Sequence, residues 1–300
     1  MSIALPAARV GYAISSVDGT PLYYEIGAPK PGRLPIVLCD GIGCDGFIWK
    51  YLKPALAVDN QVLRWHYRGH GRSQKPKIAD NVSIPNLSDD LASVLDDAGI
   101  DEAVIIGHSM GVQVALEFHR RHRYRSKGLV LMCGAHSDPL KTFKGSGMLE
   151  AALPMMRKTL DKAPGLFSSL GRAILPRDWV YRLATKFEFQ EQLLSHRDFM
   201  PYLKSLAQMD PVLFLEMLSQ MAEHSTRELL PEIRIPTLVI SGQLDTFTPP
   251  SLGREMADLI QDSQYCEIEE GTHSTPLEHP EIVGEVTLDF LDKIPGLAAS

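Results

Sequence analysis

The sequence predicts an α/β fold, a mostly parallel central sheet flanked by helices, with one helical segment inserted. Three observations predict it. Short apolar runs of strand length recur at 35–39, 61–67, 103–108, 127–133 and 236–241, with a weaker one at 264–269, each bounded by turn residues. Helical patterns at 84–98, 110–122 and 251–260 separate most of these runs, the alternation expected of βαβ units. The stretch 136–227 breaks that alternation. It holds amphipathic patterns punctuated by Pro154, Pro164, Pro176, Pro201 and Pro211, and it is too long for a structureless loop.

In chain order, residues 10–27 alternate around the turn Val17-Asp18-Gly19-Thr20 and predict a β-hairpin ahead of the sheet. Residues 1–135 and 228–300 are expected to form the core, and 136–227 a helical cap over it. A length of 300 residues suits one or two domains. With 44% hydrophobic and 22% charged residues the chain is globular rather than disordered. A formal charge of −7 disfavours a nucleic-acid partner. No apolar run approaches the roughly 18 residues of a membrane span. Residues 1–12 lack the basic and apolar regions of an export signal, so a cytoplasmic location is expected. Cys39, Cys44, Cys133 and Cys266 show no CxxC spacing, which argues against zinc; Cys39 and Cys133 end apolar runs and read as buried thiols.

The chemistry concentrates after the run Ala103-Val104-Ile105-Ile106. There Gly107-His108-Ser109-Met110-Gly111 leads into a helical pattern, a G-x-S-x-G sequence in strand–turn–helix context. A serine on so sharp a turn exposes its hydroxyl, and residues without a Cβ let strand and helix pass closely. A serine needs a base, and the base an orienting acid, here expected in the order Ser, Asp or Glu, His. Asp245 follows the run 236–241 and His273 follows 264–269. Both therefore fall at the sheet edge where Ser109 emerges, the edge at which open α/β sheets bind ligands.

On the segments PIVLCDGIG, YRGHGRS, GHSMG, SGQLDTFTP and EGTHSTPLEHP the chain resembles a capped α/β-hydrolase. The resemblance implies Ser109 as nucleophile, His273 as general base and acid, and Asp245 as the acid orienting it. Asp138 is the rival third member, with a turn as its alternative reading. Epoxide hydrolases and haloalkane dehalogenases of this fold carry Asp at the nucleophile position, so Ser109 favours acyl transfer. The implied function is hydrolysis of lipophilic carboxylic esters without a cofactor or metal. Lactonase, thioesterase and carbon–carbon bond hydrolase are alternatives on the same residues, and a non-catalytic ligand-binding member of the fold is a further one. The oxyanion donors should be the backbone N–H groups of Met110 and Ile42. The family's usual His-Gly in that loop is Asp40-Gly41 here. A carboxylate about 5 Å from an oxyanion would repel it by roughly 3 kcal/mol at an effective dielectric of 20. Asp40 is therefore expected to turn away and bond loop amides. Asp40, Gly41, His108, Met155 and Phe214 are the residues expected around a small-molecule ester or lactone.

Seven of the eleven methionines lie in 136–227, namely Met148, Met155, Met156, Met200, Met209, Met217 and Met221, as do Phe143, Phe167, Trp179, Phe199 and Phe214. That composition suits a pliable apolar pocket as well as an ordinary buried face. Other signals have plainer readings. Residues 41–46 fit GxGxxG, but the next strand ends in Trp65-His66-Tyr67-Arg68, without the acid a dinucleotide site wants. Arg68 would suit a 2′-phosphate only in isolation. The basic run 119–127 reads as a solvated helix end. His66, His70 and His108 read as hydrogen-bonded structural residues, and His279 as a helix-entry residue.

Overall fold

The computed structural model describes residues 9–141, 148–188 and 194–297; Phe143 lies outside them. Eight strands form one sheet: β1 Arg9–Ile14, β2 Pro21–Ile26, β3 Ile36–Cys39, β4 Val62–Trp65, β5 Ala103–His108, β6 Ser126–Met132, β7 Thr237–Gly242 and β8 Ser263–Ile268. The spatial order is β1-β2-β4-β3-β5-β6-β7-β8. The β1–β2 hairpin is antiparallel and joins β4 antiparallel, while every pair from β4 to β8 is parallel. The six expected runs and both arms of the expected hairpin are strands. Every residue of β3, β5 and β7 is buried. A parallel sheet covered on both faces requires this, and it explains why those runs read as continuous apolar stretches without alternation.

Eleven α-helices lie among the described residues: α1 Leu52–Leu56, α2 Ile84–Ala98, α3 Met110–Arg121, α4 Met148–Leu160, α5 Pro164–Ile174, α6 Asp178–Glu188, α7 His196–Gln208, α8 Pro211–Glu223, α9 Pro250–Leu259, α10 Thr275–Glu278 and α11 Pro280–Leu291. Local chemistry sets several ends. Ser83 caps α2 through the N–H of Asn86, and the helix stops at Gly99 in the left-handed region, φ 73°. Asp210 caps α8 through the N–H of Val212. His279 stands at the N-cap of α11, followed by Pro280.

The period of two along each strand divides the core. Val37, Ile105 and Val239 face one layer with Leu91 of α2, Val112 of α3 and Met256 of α9. Ile36, Val104, Ile106 and Ile240 face the other with Leu52 of α1 and Val283 and Phe290 of α11. Helices α4–α8 all fall between β6 and β7. Leu213 and Met217 of α8 join the first cluster, whereas Phe199 and Leu203 of α7 join the second. Each such buried apolar side chain contributes about 1.5–3 kcal/mol.

Arg68 is wholly buried. Its fork grips Asp90 at 2.7 and 2.6 Å, with Asp18 at 3.2 Å and the Asn81 carbonyl at 2.7 Å. It ties the hairpin to α2 and is closed to a cofactor phosphate. The basic run is likewise ion-paired: Arg121 with Asp89, Arg123 with Glu232, Arg125 with Asp96 and Lys127 with Glu102. Among the described residues no helix is long and apolar enough to cross a membrane.

Candidate active site

Register brings the site together. Cys39 of β3 pairs with Gly107 of β5, His108 with Met132 of β6, Met132 with Ile240 of β7, and Gly242 with Ile268 of β8. The strands therefore end level. Asp40, Ser109, Asp245 and His273 all lie in the loops just past those ends.

Ser109 adopts φ 56° and ψ −120°, a backbone region that side chains disfavour. Its neighbours make the turn sterically possible. A Cβ on Gly107 would sit 2.3 Å from the Gly111 carbonyl oxygen, and one on Gly111 2.1 Å from that of Cys39. Both glycines of the motif are required by close backbone approach.

His273 Nε2 lies 2.9 Å from Ser109 Oγ, and His273 Nδ1 lies 2.9 Å from Asp245 Oδ2. Asp245 is buried and firmly held. Its Oδ1 accepts the N–H groups of Phe247 at 2.8 Å and Thr248 at 2.9 Å, and its Oδ2 accepts the Thr248 hydroxyl at 2.8 Å. The carboxylate thus fixes the imidazole with Nδ1 protonated and Nε2 free to accept from the serine. Phe247 and His108 flank the His273 ring at centroid distances of 5.0 and 5.1 Å. His108 Nε2–H donates to the His273 carbonyl at 2.9 Å, and burial depresses its pKa to about 3, so it stays neutral. Glu278 accepts the Thr272 N–H and hydroxyl at 2.8 and 2.6 Å, anchoring the loop that carries His273. Thr248, Phe247 and Glu278 escape sequence reasoning. Their signal lies only in the spacing within DTFTP and PLEHP.

The rival acid Asp138 accepts the Leu140 N–H at 2.8 Å and pairs with Lys141 at 3.3 Å, the geometry of a turn; Asp245 is the carboxylate that meets His273. Met110 opens α3, where the first N–H groups have no partner within the helix. Ile42 lines the same cavity as Ser109. Gly41 packs so closely that an added Cβ would lie 3.1 Å from Ser109 Cβ. The loop is pinned by the Gly43 N–H donating to His70 Nε2 at 2.9 Å and by the Tyr67 hydroxyl donating to the Asp40 carbonyl at 2.8 Å.

Asp40 turns away, as expected, and beside the loop amide of Gly46 it has a partner that was not anticipated. Its Oδ1 accepts the Trp49 indole N–H, and it is not part of the cavity wall. Burial raises its pKa to about 7 against the opposing pull of Arg64. Trp49 lies nine residues on, beyond the reach of local turn patterns.

The cavity over Ser109 encloses about 410 Å³ and is almost wholly apolar. Gly41, His108 and Phe214 line it together with Ile42, Phe199, Tyr202, Leu218 and Phe247. Met155 does not: it is 73% exposed, and Met156 lines the cavity instead. Successive helical residues point about 100° apart, so only one of the pair can face inward.

A family model described as the alpha/beta hydrolase fold matches residues 35–280. The chain belongs to that family. A putative carbamate hydrolase RutD of Azorhizobium caulinodans is 27% identical over 277 residues, covering 91% of this chain and 96% of that protein. Among solved structures, a thermophilic esterase from Thermogutta terrifontis superposes with a TM-score of 0.74 at 25% identity, covering 96% of this chain and 100% of the other. The enol-lactonase from Burkholderia xenovorans LB400 does so with 0.73 at 26%, covering 94% and 100%. These similarities support a hydrolase of this fold.

Proposed function

We propose that the protein is a serine hydrolase that cleaves carboxylic esters of small to medium lipophilic substrates through an acyl-enzyme. The observation that carries this reading is the continuous Asp245–His273–Ser109 contact, at 2.9 Å on each side, opening into an apolar cavity of about 410 Å³. Ser109 Oγ attacks the substrate carbonyl as its proton passes to His273 Nε2. The imidazolium so formed is stabilised by Asp245 and then protonates the leaving alcohol. The N–H groups of Met110 and Ile42 receive the charge on the tetrahedral oxygen. Water, deprotonated by His273, releases the acid. Helices α4–α8 act as a cap that excludes bulk water and supplies apolar contacts.

The resemblance to an enol-lactonase supports a second reading, since a cyclic ester passes through the same tetrahedral intermediate. A carbamate carbonyl does too. The nearly unbroken apolar lining favours an uncharged, lipophilic substrate over a polar one. The test is a series of p-nitrophenyl esters from acetate to decanoate, run beside Ser109→Ala. Turnover with an internal chain-length optimum, abolished in the variant, is the expected result. A folded protein labelled at Ser109 by a fluorophosphonate but inactive on every ester would overturn the ester reading and turn attention to lactones.

A further inference from the structure

The loop that carries Ile42 has a second side. Behind Gly43 and Asp45 lies another cavity, of about 560 Å³, between the turn 66–72 and helix α7. Its character is opposite to that of the cavity over Ser109. Arg64, Arg72 and Lys204 line it, with Asp45 as the one acid among its lining residues. The guanidinium groups are held in place. Arg64 Nε pairs with Glu25 at 3.1 Å and its Nη1 donates to the Asp45 carbonyl. Arg72 Nη1 donates to the Tyr23 hydroxyl at 3.0 Å while its guanidinium stacks over the Tyr23 ring at 5.0 Å.

His66, only 4% exposed, shares that wall. Its Nδ1 accepts the Arg72 backbone N–H at 2.9 Å, so the ring proton is on Nε2. That Nε2–H has no hydrogen-bond partner among the described residues. That N–H is closed off from solvent, so His66 shapes the wall and the cationic side chains are its donors.

We propose that this cavity binds a small oxyanion, a phosphate or carboxylate group, between the turn 66–72 and α7. Arg64, Arg72 and Lys204 line it together, and charge-assisted donors of this kind match the acceptor geometry of such anions. The ligand would bridge Arg72 on the sheet side to Lys204 on α7. It would sit against Gly43, whose N–H and His70 hold the loop that offers Ile42 to the substrate.

Calorimetric titration of the full chain with inorganic phosphate, and separately with acetate, at low ionic strength tests this without recourse to ester turnover. The expected result is saturable one-to-one binding of at least one of the two, weakened about tenfold or more in both Arg72→Gln and Lys204→Gln. Lys162→Gln, which removes an equal charge outside the cavity, should leave it unchanged. Preference for phosphate or for acetate identifies which oxyanion the site takes. No saturable binding of either anion, or equal weakening by Lys162→Gln, overturns the proposal.

Discussion

Two loops at the sheet edge each bury an aspartate, and the two are used differently. In the loop after β7, Asp245 accepts three hydrogen bonds from its own loop and meets His273 at 2.9 Å. In the loop after β3, Asp40 is buried as deeply, but its Oδ1 takes the Trp49 indole and its Oδ2 has no partner among the described residues. Burial raises the Asp40 pKa to about 7, against the opposing pulls of Arg64 and the Trp49 indole. At similar burial, three donors of its own loop aim Asp245 at His273, whereas Asp40 is turned to Trp49 and holds its loop.

Substitutions break the comparison in graded steps. The largest effect is expected from Ser109→Ala, with ester turnover falling by about a thousandfold or more in steady-state assays. Asp245→Asn should lose about a thousandfold in kcat, because the amide favours the wrong tautomer of His273. Asp40→Asn should lose less than about tenfold; a loss beyond about a hundredfold with the fold intact would give Asp40 a part in the chemistry.

The same variant separates the two loops by pH. Since the folded protein holds a proton on Asp40 up to about pH 7 and the unfolded chain releases it near 3.8, stability is lost as pH rises between those values. Denaturant melts should therefore show Asp40→Asn gaining on the wild type from pH 4 to pH 7, by a few kcal/mol at most. His108 and His70 act in the opposite sense. Their folded pKa values are depressed to about 3 and 4, so their contribution is complete above about 6.5 and lost as pH falls. The smallest effects belong to the cavity wall. Met156→Ala should cost a few-fold in kcat/KM on the longest esters and Met155→Ala nothing measurable, a contrast that a chain-length series will show.

Much of this was legible from residues. The strand runs, the G-x-S-x-G turn and the order of Ser109, Asp245 and His273 follow from local patterns, because strand length and turn chemistry are written within a few neighbouring positions. Pairing order is not local, and neither is the indole that reaches Asp40 across nine residues. Which of Met155 and Met156 faces the cavity depends on the rotation of α4 about its axis. That rotation is set by packing against α8, which no window of sequence contains.

The backbone at Ser109 has a consequence for engineering. A serine held at φ 56° and ψ −120° costs on the order of 1–3 kcal/mol that glycine at the same place would not. Glycine gives back up to about 1 kcal/mol through the freedom it adds to the unfolded chain. A Ser109→Gly protein is thus expected to melt at a higher temperature than its parent, while Ser109→Ala, which keeps the Cβ, gains far less. The native sequence forgoes thermal resistance at this one residue, and a dead variant that outlasts the living one would display the trade directly.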